Sequence, residues 1–97
     1  MFYDSNKLAD IKKEMVSRIT GLYPHHEAEN MVNMLIRHYF GFSLAMQQIQ
    51  IDKRLSEPEM FTVHKAVTRL LTAEPIQYVL GIAEFYGMEL EVSPEVL

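Results

Sequence analysis

The sequence predicts a mainly α fold, a small bundle of about five helices followed by a C-terminal β-hairpin. Three observations carry this. Apolar residues recur at the helical period through most of the chain. Gly21, Pro24, Gly41, Ser56, Pro58, Pro75 and Gly81 cut that pattern into helix-length pieces. After Gly81 the period drops to two, as in a half-buried strand. With 97 residues, 48% of them hydrophobic, the chain suits one domain with a modest core. Residues 1–81 are the expected bundle, and residues 82–97 the hairpin and the start of a linker.

The first helix is expected over residues 4–20. Leu8, Ile11, Met15, Ile19 and Leu22 share one face, opposite Asp10, Lys13, Glu14 and Ser17. Asp4 or Ser5 is suited to cap its start, and Gly21 to take the left-handed position past its end. A second helix opens at Pro24, with Glu27 and Glu29 near the positive end of its dipole. Its stripe of Ala28, Met31, Val32, Leu35, Tyr39 and Phe42 is widened by Met34, Ile36 and Phe40. Only Asn30, Asn33 and Arg37 form a polar strip, so this helix belongs at the centre of the bundle.

Residues 43–55 read two ways. Ser43 resembles an N-cap, and Leu44, Met46 and Ile49 would pack a short helix. Gln48-Ile49-Gln50-Ile51-Asp52 alternates as a strand would, yet no neighbouring segment offers a partner, so a helix is expected. Ser56-Glu57-Pro58-Glu59 is a capping box. Met60, Val63, His64, Val67, Leu70 and Leu71 follow it as the apolar face of a fourth helix, with Thr62, Lys65, Arg69 and Thr72 outside. Pro75 to Leu80 is a short fifth helix stopped by Gly81. Ile82 to Phe85 can then pair with the alternating run Tyr86, Met88, Leu90 and Val92 through a turn at Tyr86-Gly87. A hairpin is marginal alone and needs a body to pack on. The final Val96-Leu97 carries no stop signal, which suggests that a longer protein continues.

Charge and composition exclude several classes. Nine Lys+Arg against thirteen Asp+Glu give a net charge of −4. That balance, without a basic run, disfavours direct nucleic-acid contact and an anionic membrane surface. No stretch approaches the ~18 apolar residues of a spanning helix, and the N-terminus has no secretory h-region. A cytoplasmic domain is the expectation. The absence of cysteine removes disulfides, thiolate metal sites and a thiol nucleophile.

Few residues suggest chemistry. His25-His26-Glu27-Ala28-Glu29-Asn30 misses the zinc-protease pattern because Asn30 stands where the second His must be. No metal site is expected. His64, on the apolar stripe, reads as a packed residue, as does His38, and no triad-like arrangement of acid, base and nucleophile is evident. Seven methionines would suit an adaptable surface, but Met15, Met31, Met46 and Met60 fall on core stripes. Glu89 and Glu91 read as edge protection of a strand. Gly81-Ile82-Ala83 follows a helix, unlike a dinucleotide-binding loop. Gln77 and Tyr78 place polar tips on a short apolar helix. They serve either as scaffold or, with Phe85, as a junction to the hairpin or a neighbouring domain.

Glu74-Pro75-Ile76-Gln77-Tyr78-Val79-Leu80-Gly81, then Glu84-Phe85-Tyr86-Gly87-Met88-Glu89-Leu90-Glu91-Val92 and Pro94-Glu95-Val96-Leu97, resembles the HemK-type release factor glutamine methyltransferases. In that family such a helix closes an N-terminal helical domain, and a Phe-x-Gly hairpin leads toward the catalytic domain. Residues before this stretch resemble the family in helical architecture and length alone. The resemblance implies a parent enzyme that transfers methyl from S-adenosylmethionine to the Gly-Gly-Gln glutamine of peptide chain release factors. The family's Asn-Pro-Pro-Tyr motif and cofactor site lie in a later domain, and this sequence has no Asn-Pro pair. The implied partners are therefore a release factor and the protein's own C-terminal catalytic domain. No catalytic, cofactor or metal residue is implied in these 97 residues, which alone are expected to be inactive. The candidate docking residues are Gln77, Tyr78, Gly81, Phe85, Tyr86 and Gly87. A helical adaptor that grips partner helices through a Met-rich groove is the alternative.

Overall fold

The computed structural model describes residues 5–81. Five helices run through them: α1 (Leu8–Ile19), α2 (His25–Phe40), α3 (Leu44–Ile49), α4 (Glu57–Leu71) and α5 (Ile76–Leu80). The expected hairpin lies outside the described residues. Among them no strand forms, and the extended alternative for Gln48 to Asp52 gives way to α3 and the turn after it.

Helix α1 starts at Leu8, a full turn later than expected, with Lys7 as an N-cap that supplies no side-chain bond. The loop between α3 and α4 does the capping instead. Leu8 N–H donates to the Lys53 carbonyl at 2.8 Å and Ala9 N–H to that of Ile51 at 3.0 Å. These bonds satisfy two of the donors that every helix start leaves open. Leu55 N–H donates to the Asn6 carbonyl at 2.7 Å, and Lys7 and Arg54 form a single antiparallel bridge. Ser5 has a smaller part than expected: its hydroxyl donates to Asp10 at 2.7 Å.

At the other end, α1 stops at Thr20 in the right-handed region, and Gly21 does not adopt a positive φ. The left-handed stop appears at α2 instead, where Gly41 has φ 72° and donates to the Arg37 carbonyl. Because α1 ends before Leu22, that residue leaves the predicted stripe and is exposed.

The core is built from one face each of α1, α2 and α4. Leu8, Ile11, Met15 and Ile19 meet Ala28, Met31, Val32, Leu35 and Ile36, and Met60, Val63, Ala66, Val67 and Leu70. Helix α2 packs on α1, α4 and α5, which is why its apolar stripe is wide. The capping box forms as expected: Glu59 N–H donates to Ser56 Oγ at 3.3 Å, and Ser56 N–H donates to Glu59 Oε1 at 2.8 Å. Leu71, expected inside, is exposed at the last turn of α4.

Helix α3 reverses the expectation. Leu44, Met46 and Ile49, expected to pack, are 61%, 39% and 73% exposed, whereas Gln47 is 2% exposed. Ser43 does cap the helix, accepting from Met46 N–H at 3.2 Å. Gln47 Oε1 accepts from Lys12 Nζ at 2.6 Å, and its Nε2 donates to the Phe42 carbonyl at 3.0 Å and the Asn33 carbonyl at 3.4 Å. One amide therefore ties α1, α2 and the α2–α3 loop together, and its burial is repaid in hydrogen bonds. Met15, Met31 and Met60 are buried and Met34 half-buried. Of the described methionines, only Met46 is exposed.

Candidate docking site at the α4–α5 corner

The corner forms because α4 cannot continue into Pro75, whose ring would clash with the preceding turn. Thr72 closes α4, its hydroxyl donating to the Arg69 carbonyl at 2.7 Å. Ala73 then takes φ 67°, a left-handed conformation that costs a non-glycine residue roughly 1 kcal/mol. Ala73 N–H donates to the Leu70 carbonyl and Glu74 N–H to that of Arg69, which ties the reversal back to the end of α4.

Arg69 organises the corner. Its Nε donates to Glu74 Oε1 at 3.0 Å and its Nη2 to Glu74 Oε2, a forked guanidinium–carboxylate pair. The Nη2 group also donates to the Tyr78 carbonyl at 3.3 Å, at the middle of α5. One side chain therefore spans the corner from α4 to α5. The hydrogen bond from Arg69 holds the Glu74 carboxyl below the ordinary glutamate range, and the same contact raises the Arg69 pKa further. Tyr39 of α2 lies within the electrostatic reach of Arg69. Burial raises its phenol pKa, and the Arg69 charge opposes that shift.

Helix α5 is anchored by Val79 and Leu80, both buried, with Ile76 packed against the core. Its other side carries two of the predicted residues. Gln77 and Tyr78 are exposed, Tyr78 to 55%, and adjacent. Gly81 ends the helix at φ 94°, a region that favours glycine. The structure therefore brings Gln77, Tyr78 and Gly81 into one short stretch. Phe85, Tyr86 and Gly87 lie outside the described residues. An exposed amide beside an exposed phenol, on a helix fixed from beneath, is a hydrogen-bonding and stacking surface.

Sequence reasoning places Arg69 only among outward residues and misses its role. The available signal was an Arg five residues before a Glu-Pro pair, a spacing that matters only once the corner folds back. Among the described residues no group of three or more His, Asp or Glu side chains could hold a metal ion. His25 Nε2 instead faces Glu29 at 3.4 Å. No described helix is long and apolar enough to cross a membrane.

Comparison with known proteins gives a consistent family. The model of the PrmC N-terminal domain matches residues 13–81, from within α1 to the end of α5. The match thus covers the part that resembles the family only in architecture, and includes Glu74 to Gly81 of the motif. The chain is 30% identical over 97 residues, its full length, to 18% of a bifunctional methyltransferase of Rickettsia typhi. It is 32% identical over 74 residues, 76% of this chain and 25% of the relative, to a release factor glutamine methyltransferase of Coxiella burnetii. A third relative, the release factor glutamine methyltransferase of Geobacter sulfurreducens, is 39% identical over 49 residues, 50% of this chain and 17% of that protein. The chain spans a quarter or less of the length of each. No solved structure matches it at a significant level.

Proposed function

This chain belongs to the PrmC N-terminal domain family, and from that premise we propose that it is the substrate-docking domain of a release factor glutamine methyltransferase. The parent enzyme would methylate the glutamine of the Gly-Gly-Gln motif in peptide chain release factors. The observation that carries the reading is the α4–α5 corner, where Arg69 and the buried Val79 and Leu80 hold Gln77 and Tyr78 outward beside Gly81. A rigid, exposed polar pair at the point where the described chain leaves the bundle suits a junction with a partner surface or a following domain.

The cofactor of such a reaction is S-adenosylmethionine, which supplies a methyl group activated on a sulfonium sulfur. The described residues do not suit it. The groove between α1, α2 and α3 carries the ammonium groups of Lys12 and Lys13, which disfavour a sulfonium cation, beside the single carboxylate of Glu29. By the family resemblance the cofactor belongs to the catalytic domain, and in our reading the role of this chain is to bind and orient. Its contribution is proximity: holding the release factor raises the chance that its glutamine meets the methyl donor.

The test is a kinetic split in the parent methyltransferase. The Gln77→Ala, Tyr78→Ala double variant is expected to raise KM for the release factor severalfold while leaving kcat within about twofold. An unchanged KM would remove these residues from docking. The adaptor alternative is the less supported reading, because among the described methionines Met15, Met31 and Met60 are buried and Met46 is exposed.

A further inference from the structure

A second surface, distinct from the corner, lies between α1 and the N-terminal half of α2, with α3 closing one end. It is a groove of about 850 Å³ with Val16 and Val32 among its lining residues. Its walls are rich in donors: Lys12, Lys13, His25, His26, Asn30 and Gln48. The carboxylate in the lining is Glu29. His25 Nε2 lies 3.4 Å away, and Glu29 and Lys12 attract each other electrostatically. Lys13 and His26 are exposed and form no ion pair with another described residue. Lys12 gives one N–H to Gln47 and is held in place by it, with two donors remaining. At the α3 end stands Leu44, 61% exposed. A donor-rich, cation-bearing groove in a chain of net charge −4 is a local reversal of sign, and its complement is an acceptor-rich chain with carboxylates.

The groove and the corner stand toward opposite ends of α2. Glu29 and Tyr39, the latter beside Arg69, are ten residues apart on α2, about 15 Å along its axis.

We propose that this groove receives an extended acidic segment of the protein substrate, its carboxylates at Lys13 and His26 and an apolar side chain beside Leu44. The assignment deepens the docking reading and rests on it for the identity of the partner. A nucleic acid is the less suited polyanion, because the overall negative charge repels it and no basic run tracks a phosphate backbone.

The test uses the 97-residue chain and a labelled peptide of glutamates around one central leucine, with its glutamine counterpart as control. Binding is read by fluorescence polarisation and mapped by amide chemical shifts. The glutamate peptide is expected to bind at least about tenfold more tightly than the control, to weaken as salt rises, and to shift residues of α1, α2 and α3 around the groove. The Lys13→Glu, His26→Glu double variant, both positions being exposed, is expected to lose about tenfold in affinity with unchanged helical circular dichroism. Equal binding of both peptides, shifts mapped elsewhere, or stronger binding of a single-stranded oligonucleotide would overturn the proposal. Measuring release factor binding in parallel separates the two claims. A release factor that binds the double variant as well as the parent chain sinks the groove and leaves the corner standing. One that binds neither sinks the docking reading, whatever the peptide does.

Discussion

At the residue scale the most consequential side chain is Arg69, which joins Glu74 and the Tyr78 carbonyl in one fork. Its partner's titration makes the contact measurable. Because Arg69 holds the Glu74 pKa below its ordinary value, the pair contributes stability above the unfolded carboxylate pKa and loses it as pH falls through the folded one. Both side chains are substantially exposed, so solvent screening keeps that contribution small. Arg69→Met is expected to return the Glu74 carboxyl to the ordinary glutamate range in a carbon-detected NMR titration, and to remove the acid-side loosening of the corner. A Glu74 titration unmoved by the substitution would mean that the fork does not persist in solution. The sequence hides this contact, because Arg69 sits at an outward position of its helix and its partners come from beyond a chain reversal. Ala73 hides the reversal too, being a residue that ordinarily avoids positive φ.

The elements divide by where their stability originates. α1, α2 and α4 follow their apolar periodicity closely, since each presents one face to the others and burial dominates. α3 does not, because a helix of six residues has too little surface for periodicity to decide its facing. There a polar network decides: Gln47 turns inward to answer Lys12 and the carbonyls of Asn33 and Phe42, leaving Leu44 and Ile49 in solvent. Gln47→Leu keeps the volume and removes the hydrogen bonds, so it is expected to cost about 1–3 kcal/mol. The loss belongs to α3 and its loops. Hydrogen exchange should accelerate at Gln47 N–H and at Leu8 and Ala9, whose acceptors lie in the α3–α4 loop, while mid-α4 amides keep their protection. Uniform acceleration across α4 would show that α3 is integral to the core. The end of α1 misled for a related reason: Gly21 suits a left-handed stop, but backbone bonds from Leu22 and Tyr23 to the Ile19 carbonyl close the helix without one.

For the whole molecule, two surfaces lie toward opposite ends of α2, the corner at Gln77 and Tyr78 and the groove at Lys13 and His26. The helical core between them holds their spacing fixed, as the proposed docking role requires. The family was legible from the run Glu74 to Gly81 together with Glu84 to Val92 and Pro94 to Leu97, where Pro and Gly have local structural consequences that leave a recognisable spacing. The groove was not legible, since it joins residues of three helices at no common sequence spacing. The central claim is that this domain binds the protein substrate itself, and calorimetric titration of the 97-residue chain with a purified release factor tests it most directly. Saturable one-to-one binding, weakened by Gln77→Ala with Tyr78→Ala at unchanged helicity, is the expected result. A correctly folded chain that takes up no release factor would contradict it.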